Sequence, residues 1–283
     1  MKRVLHSNKI IAFVGIAYLF SWSVWLTGIA IEGHSNIQSI WLFVLIGSFG
    51  PTVAAIVMTY IKDGIDGFKL LVASIFRFKF HIKYWLFFIF LLPAIWAIVY
   101  LVMGREAADP EVTGLVYITI FISPINALFE IFGGIGPIGE EIGWRGYLLE
   151  RLLQKYPTIQ ANIILGFVWA FWHLPIVLFF PEFRDNVDLG LFLLLYPILV
   201  ILLTTMMTNF WKWTNGSVFI AIWIHSMVNE LLAYGVNSIW ATGYSKLQLN
   251  LVSIGIFAIL AIVSSLVFKK KANQFMENNK KSR

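Results

Sequence analysis

The sequence predicts an all-α, polytopic membrane protein: a bundle of about eight transmembrane helices with both termini cytoplasmic. Three observations lead there. Hydrophobic residues make up 59% of the 283 and charged residues only 13%, where a soluble domain carries roughly 25% charge. The apolar residues gather into runs of about 20, the length that crosses a hydrocarbon core as a helix. No alternating strand pattern occurs, so helices are the structure that satisfies its own backbone groups in lipid.

Taken in order, the spans are expected over 10–31, 40–61, 84–103, 114–132, 161–180, 189–208, 217–236 and 249–268. The first is too long for a signal-peptide core and lacks a small-x-small cleavage site, so it is read as a retained helix. Between the spans, 62–83 and 133–160 are the sizeable internal loops. Lysine and arginine test the count independently. With the N-terminus inside, 18 of the 21 fall in cytoplasmic pieces and only Arg105, Arg184 and Lys246 fall outside. That bias follows the positive-inside rule loop after loop, and an odd number of spans would break it.

The net charge of +6 is therefore topology rather than a sign of a nucleic-acid partner. The tail Lys269–Lys271 is expected to meet anionic inner-leaflet lipid. With no cysteine, disulfides, thiolate nucleophiles and cysteine–zinc sites are excluded. The chain reads as one integral-membrane domain over 1–283, with the bilayer as its first partner. Its richness in Ile, Phe, Lys and Asn points to a bacterial plasma membrane.

Charge is scarce within such a chain, because an ionisable group at membrane depth costs on the order of 2.5–3.5 kcal/mol. Against that cost, Glu140-Glu141-Ile-Gly-Trp-Arg145 follows the helix-breaking Gly133-Gly134-Ile-Gly136-Pro137. A second helix is expected from near Ile138 to Tyr156. On it Glu141 and Arg145 share a face, while Glu140 points about 100° away. A solvated helix with a surface ion pair is the competing reading. His173 lies about 12 residues into the fifth span, roughly 18 Å along it, followed by Pro175, which frees a carbonyl. His225 and Asn229, four apart on the seventh span, stack on one face. Each histidine alone fits an ordinary interhelical hydrogen bond. Glu130 and Glu230 are candidate partners or proton-relay members.

Together these groups are the parts that peptide hydrolysis needs: a glutamate to deprotonate water, a histidine partner, and donors for a developing oxyanion. Glu140, His173 and His225 are also zinc-ligand types, although the spacing is not that of a His-Glu-x-x-His helix. Simple counting places Glu140 beyond the end of the fourth span while both histidines lie deep. The groups meet only if the Gly-Pro break turns the second helix inward or the fourth span starts later, with water entering from the cytoplasmic side.

The residues resemble the CPBP group, which contains the type II CAAX prenyl endopeptidases and the bacterial Abi proteins. Its pattern is Glu-Glu-x-x-x-Arg, then Phe-x-x-x-His, then His-x-x-x-Asn. Glu140-Glu141 with Arg145, then His173, then His225 with Asn229 supply it in order, and a family core would cover 115–235. Trp169 stands where the family has Phe; a bulky aromatic is retained, so only packing is expected to change. The resemblance implies that Glu140 is the general base, positioning water with His173. It implies that His225 and Asn229 hold the oxyanion and that Glu141 and Arg145 orient the site. It also implies an intramembrane endopeptidase acting on small or membrane-anchored peptides, of glutamate or metallo type, with one divalent metal such as zinc compatible. The rival is a non-catalytic bacteriocin-immunity protein or scaffold. An ion-coupled transporter, motivated by Glu130, Glu230 and the broken helix, lacks the inverted repeat that would support it.

Overall fold

The computed structural model describes residues 2–33, 37–103, 110–133, 136–180, 188–230 and 245–267. The tail Lys269–Lys271, Arg105, Arg184 and the end of the seventh expected span lie outside the described residues, as does the Glu130 side chain. The described residues form helices and no strand. These are α1 (Lys2–Glu32), a 3-10 turn (Ile37–Ile40), α2 (Trp41–Gly47), α3 (Gly50–Ile75), α4 (Ile82–Leu86), a π turn (Phe87–Leu91), α5 (Leu92–Met103) and α6 (Pro110–Gly133). Then come α7 (Pro137–Gly143), a second π turn (Trp144–Leu148), α8 (Leu149–Lys155), α9 (Thr158–Trp172), α10 (Leu174–Phe179), α11 (Leu189–Trp213), α12 (Val218–Glu230) and α13 (Lys246–Val267).

Among the described residues, five helical stretches are long and apolar enough to cross a membrane: Lys9–Glu32, Ile37–Ile75, Ile82–Val99, Leu189–Trp213 and Leu247–Leu266. Shorter apolar helices run over Tyr117–Phe129, Thr158–Trp172 and Val218–Glu230. The protein is thus an all-α, polytopic membrane protein.

One expected boundary needs correction. The segment 62–83 is not a loop throughout, because α3 continues to Ile75. It is broken at Gly64, whose φ of +63° and ψ of −156° belong to a region essentially reserved for glycine. Within 133–160 the expected second helix is present, running from Pro137 to Lys155 through the π turn. An uninterrupted apolar pattern hides such breaks, since periodicity reports which face is apolar and not where the backbone changes direction.

The interior is organised around α7. It packs against α3 and α12, and the contact with α3 is made by absent side chains. A Cβ at Gly139 would come 2.8 Å from the Ser48 carbonyl oxygen, and one at Gly143 would collide with the Pro51 backbone. This small-xxx-small pair lets the two backbones meet, the device by which helices associate where lipid is as apolar as leucine. Thr52 Oγ1 then donates to the Gly139 carbonyl at 2.6 Å. On the other flank α11 packs on α9 and α13. Thr208 Oγ1 donates to Asn162 Oδ1 at 2.8 Å, and Asn209 Nδ2 donates to Ser264 Oγ at 2.8 Å.

Candidate active site

The diacid is positioned by the start of α7. Gly136 adopts φ +104°, which turns the chain, and Pro137 follows at the first helical position, where its missing N–H costs nothing. The Glu140 amide donates to the Gly136 carbonyl at 2.8 Å. Both glutamates are buried, Glu140 at 4% exposure and Glu141 at 0%. The break therefore carries the second helix into the bundle, which brings Glu140 to the same neighbourhood as the histidines. The π turn begins right after the diacid, with the Leu149 amide bonded to the Trp144 carbonyl. Such bulges are frequent at functional sites.

Glu141 is held on two sides. Arg145 Nη1 donates to its Oε1 at 2.7 Å and Oε2 at 2.8 Å. From α12, His225 Nδ1 lies 2.9 Å from Oε1. Arg145 is 0% exposed. Its Nη2 reaches Thr204 Oγ1 at 3.3 Å and the Met207 sulfur at 3.2 Å, both on α11. A buried ion pair recovers its desolvation cost only when further hydrogen bonds satisfy both partners; His225 and Thr204 supply some of them, while Arg145 Nε has no partner among the described residues.

Glu140 faces elsewhere. Its Oε2 accepts from the Trp169 indole Nε1 at 2.6 Å. The Trp169 ring lies 4.3 Å under the Arg145 guanidinium carbon and meets the His225 ring edge-on at 5.0 Å between centroids. The expectation that Trp169 changes only packing is corrected here: phenylalanine has no N–H to offer Glu140.

His173 sits at the joint between α9 and α10. Its amide turns to the Ala170 carbonyl at 3.3 Å, and its ring Nδ1 lies 3.0 Å from the Trp169 carbonyl. A carbonyl oxygen only accepts, so Nδ1 carries the proton and Nε2 is the basic nitrogen of the neutral ring. A carboxylate likewise accepts, so His225 Nδ1 donates to Glu141 Oε1. The joint is braced from α1, where Trp22 Nε1 donates to the Trp172 carbonyl at 2.8 Å. From α11 the Tyr196 hydroxyl lies 3.4 Å from His173 Nδ1.

Glu140, Glu141, Arg145, His173 and His225 thus form one connected cluster, with Trp169 touching four of the five. Asn229 is half-buried and makes no hydrogen bond among the described residues. Glu230 is buried, and its Oε2 has no partner among the described residues; no contact joins it to the cluster. Thr204, Met207 and Tyr196 were missed by sequence reading. The threonine pair inside the apolar run of α11 was the signal for the first, since a hydroxyl at that depth needs a partner. Among the described residues no group of three or more His, Asp or Glu is arranged to hold a metal ion. The donors are engaged elsewhere: Glu140 Oε2 by the indole, and Glu141 by Arg145 and His225. No step below is routed through a metal.

The chain is a helical membrane protein with a buried cluster of acid, arginine and histidine side chains, and its resemblances lie among CAAX proteases. Residues 113–231 match the family described as Type II CAAX prenyl endopeptidase Rce1-like. The chain is also 23% identical over 231 residues to CAAX prenyl protease 2 of Methanococcus maripaludis, covering 76% of this chain and 82% of the relative. The resemblance carried by the three motifs is thereby shown: the segment that bears them is Rce1-like. Family and relative both support a protease, that is, a hydrolase within a multi-pass membrane protein.

Proposed function

We propose that the protein is an intramembrane endopeptidase that hydrolyses small or membrane-associated peptides with a water activated by Glu140 and His173. Water sits between the Glu140 carboxylate and His173 Nε2, which accepts a hydrogen bond from it. Glu140 takes a proton as the water oxygen attacks the scissile carbonyl carbon, and the carbonyl electron pair moves onto oxygen. Asn229 and His225, donating from its second ring nitrogen while Nδ1 donates to Glu141, hold that oxyanion. In this state Glu140 is protonated, and the Glu141 carboxylate and the oxyanion face Arg145 and His225. The intermediate collapses, the C–N bond breaks, and Glu140 returns its proton to the leaving amine.

What supports this reading is that hydrogen bonds and the ring contacts of Trp169 bring together five chemistry-bearing side chains, from segments up to 85 residues apart, inside a chain that tolerates little buried charge. The relative's name makes a prenylated C-terminal peptide the first probe. Purified protein in detergent should cleave internally quenched peptides, tested with and without a prenylated cysteine. Glu140→Ala and His173→Ala should be inert, and wild-type rates in those variants reject the proposal. A folded Glu140→Gln that keeps full function in cells favours an immunity or scaffold role instead.

A further inference from the structure

Trp169 is the residue through which the cluster is joined. Its indole N–H is the side-chain donor to Glu140 among the described residues, at 2.6 Å from Oε2. Both partners are buried, Trp169 at 3% and Glu140 at 4% exposure, so water does not compete for that bond. An indole N–H donates only and keeps its proton. It therefore occupies one carboxylate oxygen without competing for the proton that the other must take. That other oxygen, Oε1, lies over the bare backbone of Gly136, where a Cβ would stand 2.7 Å from it.

The indole is fixed in turn. Arg145 covers one face at 4.3 Å, and the His225 ring meets it edge-on at 5.0 Å. Its own carbonyl receives His173 Nδ1 at 3.0 Å. One residue thus sets the direction of the acid through its ring and of the histidine through its backbone.

We propose that Trp169 is a positioning residue whose indole N–H pins Glu140 Oε2, so that Oε1 is the oxygen turned to the reacting water. This rests on the peptidase reading above. The bond is made to the carboxylate that takes the proton in that reading, so it acts on the chemical step. Its loss lowers kcat and leaves KM unchanged.

The test uses full-length protein in detergent and the quenched peptide that the wild type cleaves. Trp169→Phe keeps an aromatic ring and removes the donor. Trp169→benzothienylalanine keeps the full bicyclic shape with sulfur in place of N–H, so packing is preserved even where phenylalanine leaves a gap. Glu140→Gln is assayed in parallel. The expected result is a kcat lower by roughly tenfold or more in both position-169 variants, the loss typical of a hydrogen bond to a charged group, with KM within about twofold. A benzothienylalanine variant with wild-type kcat overturns the assignment, whatever the phenylalanine variant does. So does a loss carried by KM instead of kcat. An inert Glu140→Gln beside such a result leaves the peptidase reading standing, whereas wild-type activity in Glu140→Gln overturns both.

Discussion

His225 Nδ1 lies 2.9 Å from Glu141 Oε1, across 84 residues of sequence. The contact ties α12 to α7 at the middle of the buried cluster. It gives Glu141 a second charged or polar partner beside Arg145. It also assigns the two glutamates different work, one tied into the scaffold and the other held by an indole.

Arg145→Met tests that scaffold. The substitution leaves the Glu141 carboxylate buried with His225 as its one remaining partner among the described residues. Breaking a buried pair from one side costs about 3–5 kcal/mol, so the variant should unfold at markedly lower denaturant in detergent. Arg145→Lys should fall between, because a single ammonium does not replace the planar guanidinium that pairs with Glu141, reaches Thr204 and stacks on Trp169. Wild-type stability in Arg145→Met would show that the pair adds nothing to the fold.

The α7–α3 contact makes a prediction from glycine alone. Gly143→Ala places a Cβ into the Pro51 backbone, and overpacking of that kind costs roughly 1–3 kcal/mol. Activity should fall with stability, because α7 carries the diacid. Gly15→Ala is the control, since a Cβ there meets nothing within 4 Å. Thermal melting of the two side by side should separate them, and equal melting temperatures would contradict the close approach.

Asn229→Ala should separate function from folding. The side chain makes no hydrogen bond among the described residues, so its removal leaves no described partner orphaned. An oxyanion donor, by contrast, is worth roughly 10²–10³ in kcat. The expected outcome is a large loss of turnover with an unchanged melting temperature. Equal turnover would remove Asn229 from the proposed mechanism.

Topology is testable because the chain has no cysteine. Lys79→Cys and Gln248→Cys both lie at exposed positions. With both termini cytoplasmic, an impermeant maleimide should label Gln248→Cys in intact cells and reach Lys79→Cys only after permeabilisation. Labelling of both from the same side would overturn the eight-span arrangement.

How much of this was legible in the sequence varies from residue to residue. Glu141 and Arg145 were placed on one face by their spacing of four, and the structure joins them at 2.7 Å. The remaining partners of Arg145, Thr204 and Met207, sit about 60 residues further on in an apolar run whose periodicity says nothing about which neighbour it meets. Trp169 was read as a filler of space, because a one-letter pattern records an aromatic ring and not where its N–H points.

The amino-acid sequence by itself determined the class of structure. A chain so poor in charge finds backbone hydrogen bonds in lipid only by forming helices, and its few ionisable groups stand out because each is costly there. Only the tertiary structure decided what else the arginine reaches on α11, which oxygen each histidine addresses, and that α7 turns into the bundle against Ser48 and Pro51. Those facts depend on where distant backbones meet, and a pattern of period 3.6 describes a single helix without naming its neighbour.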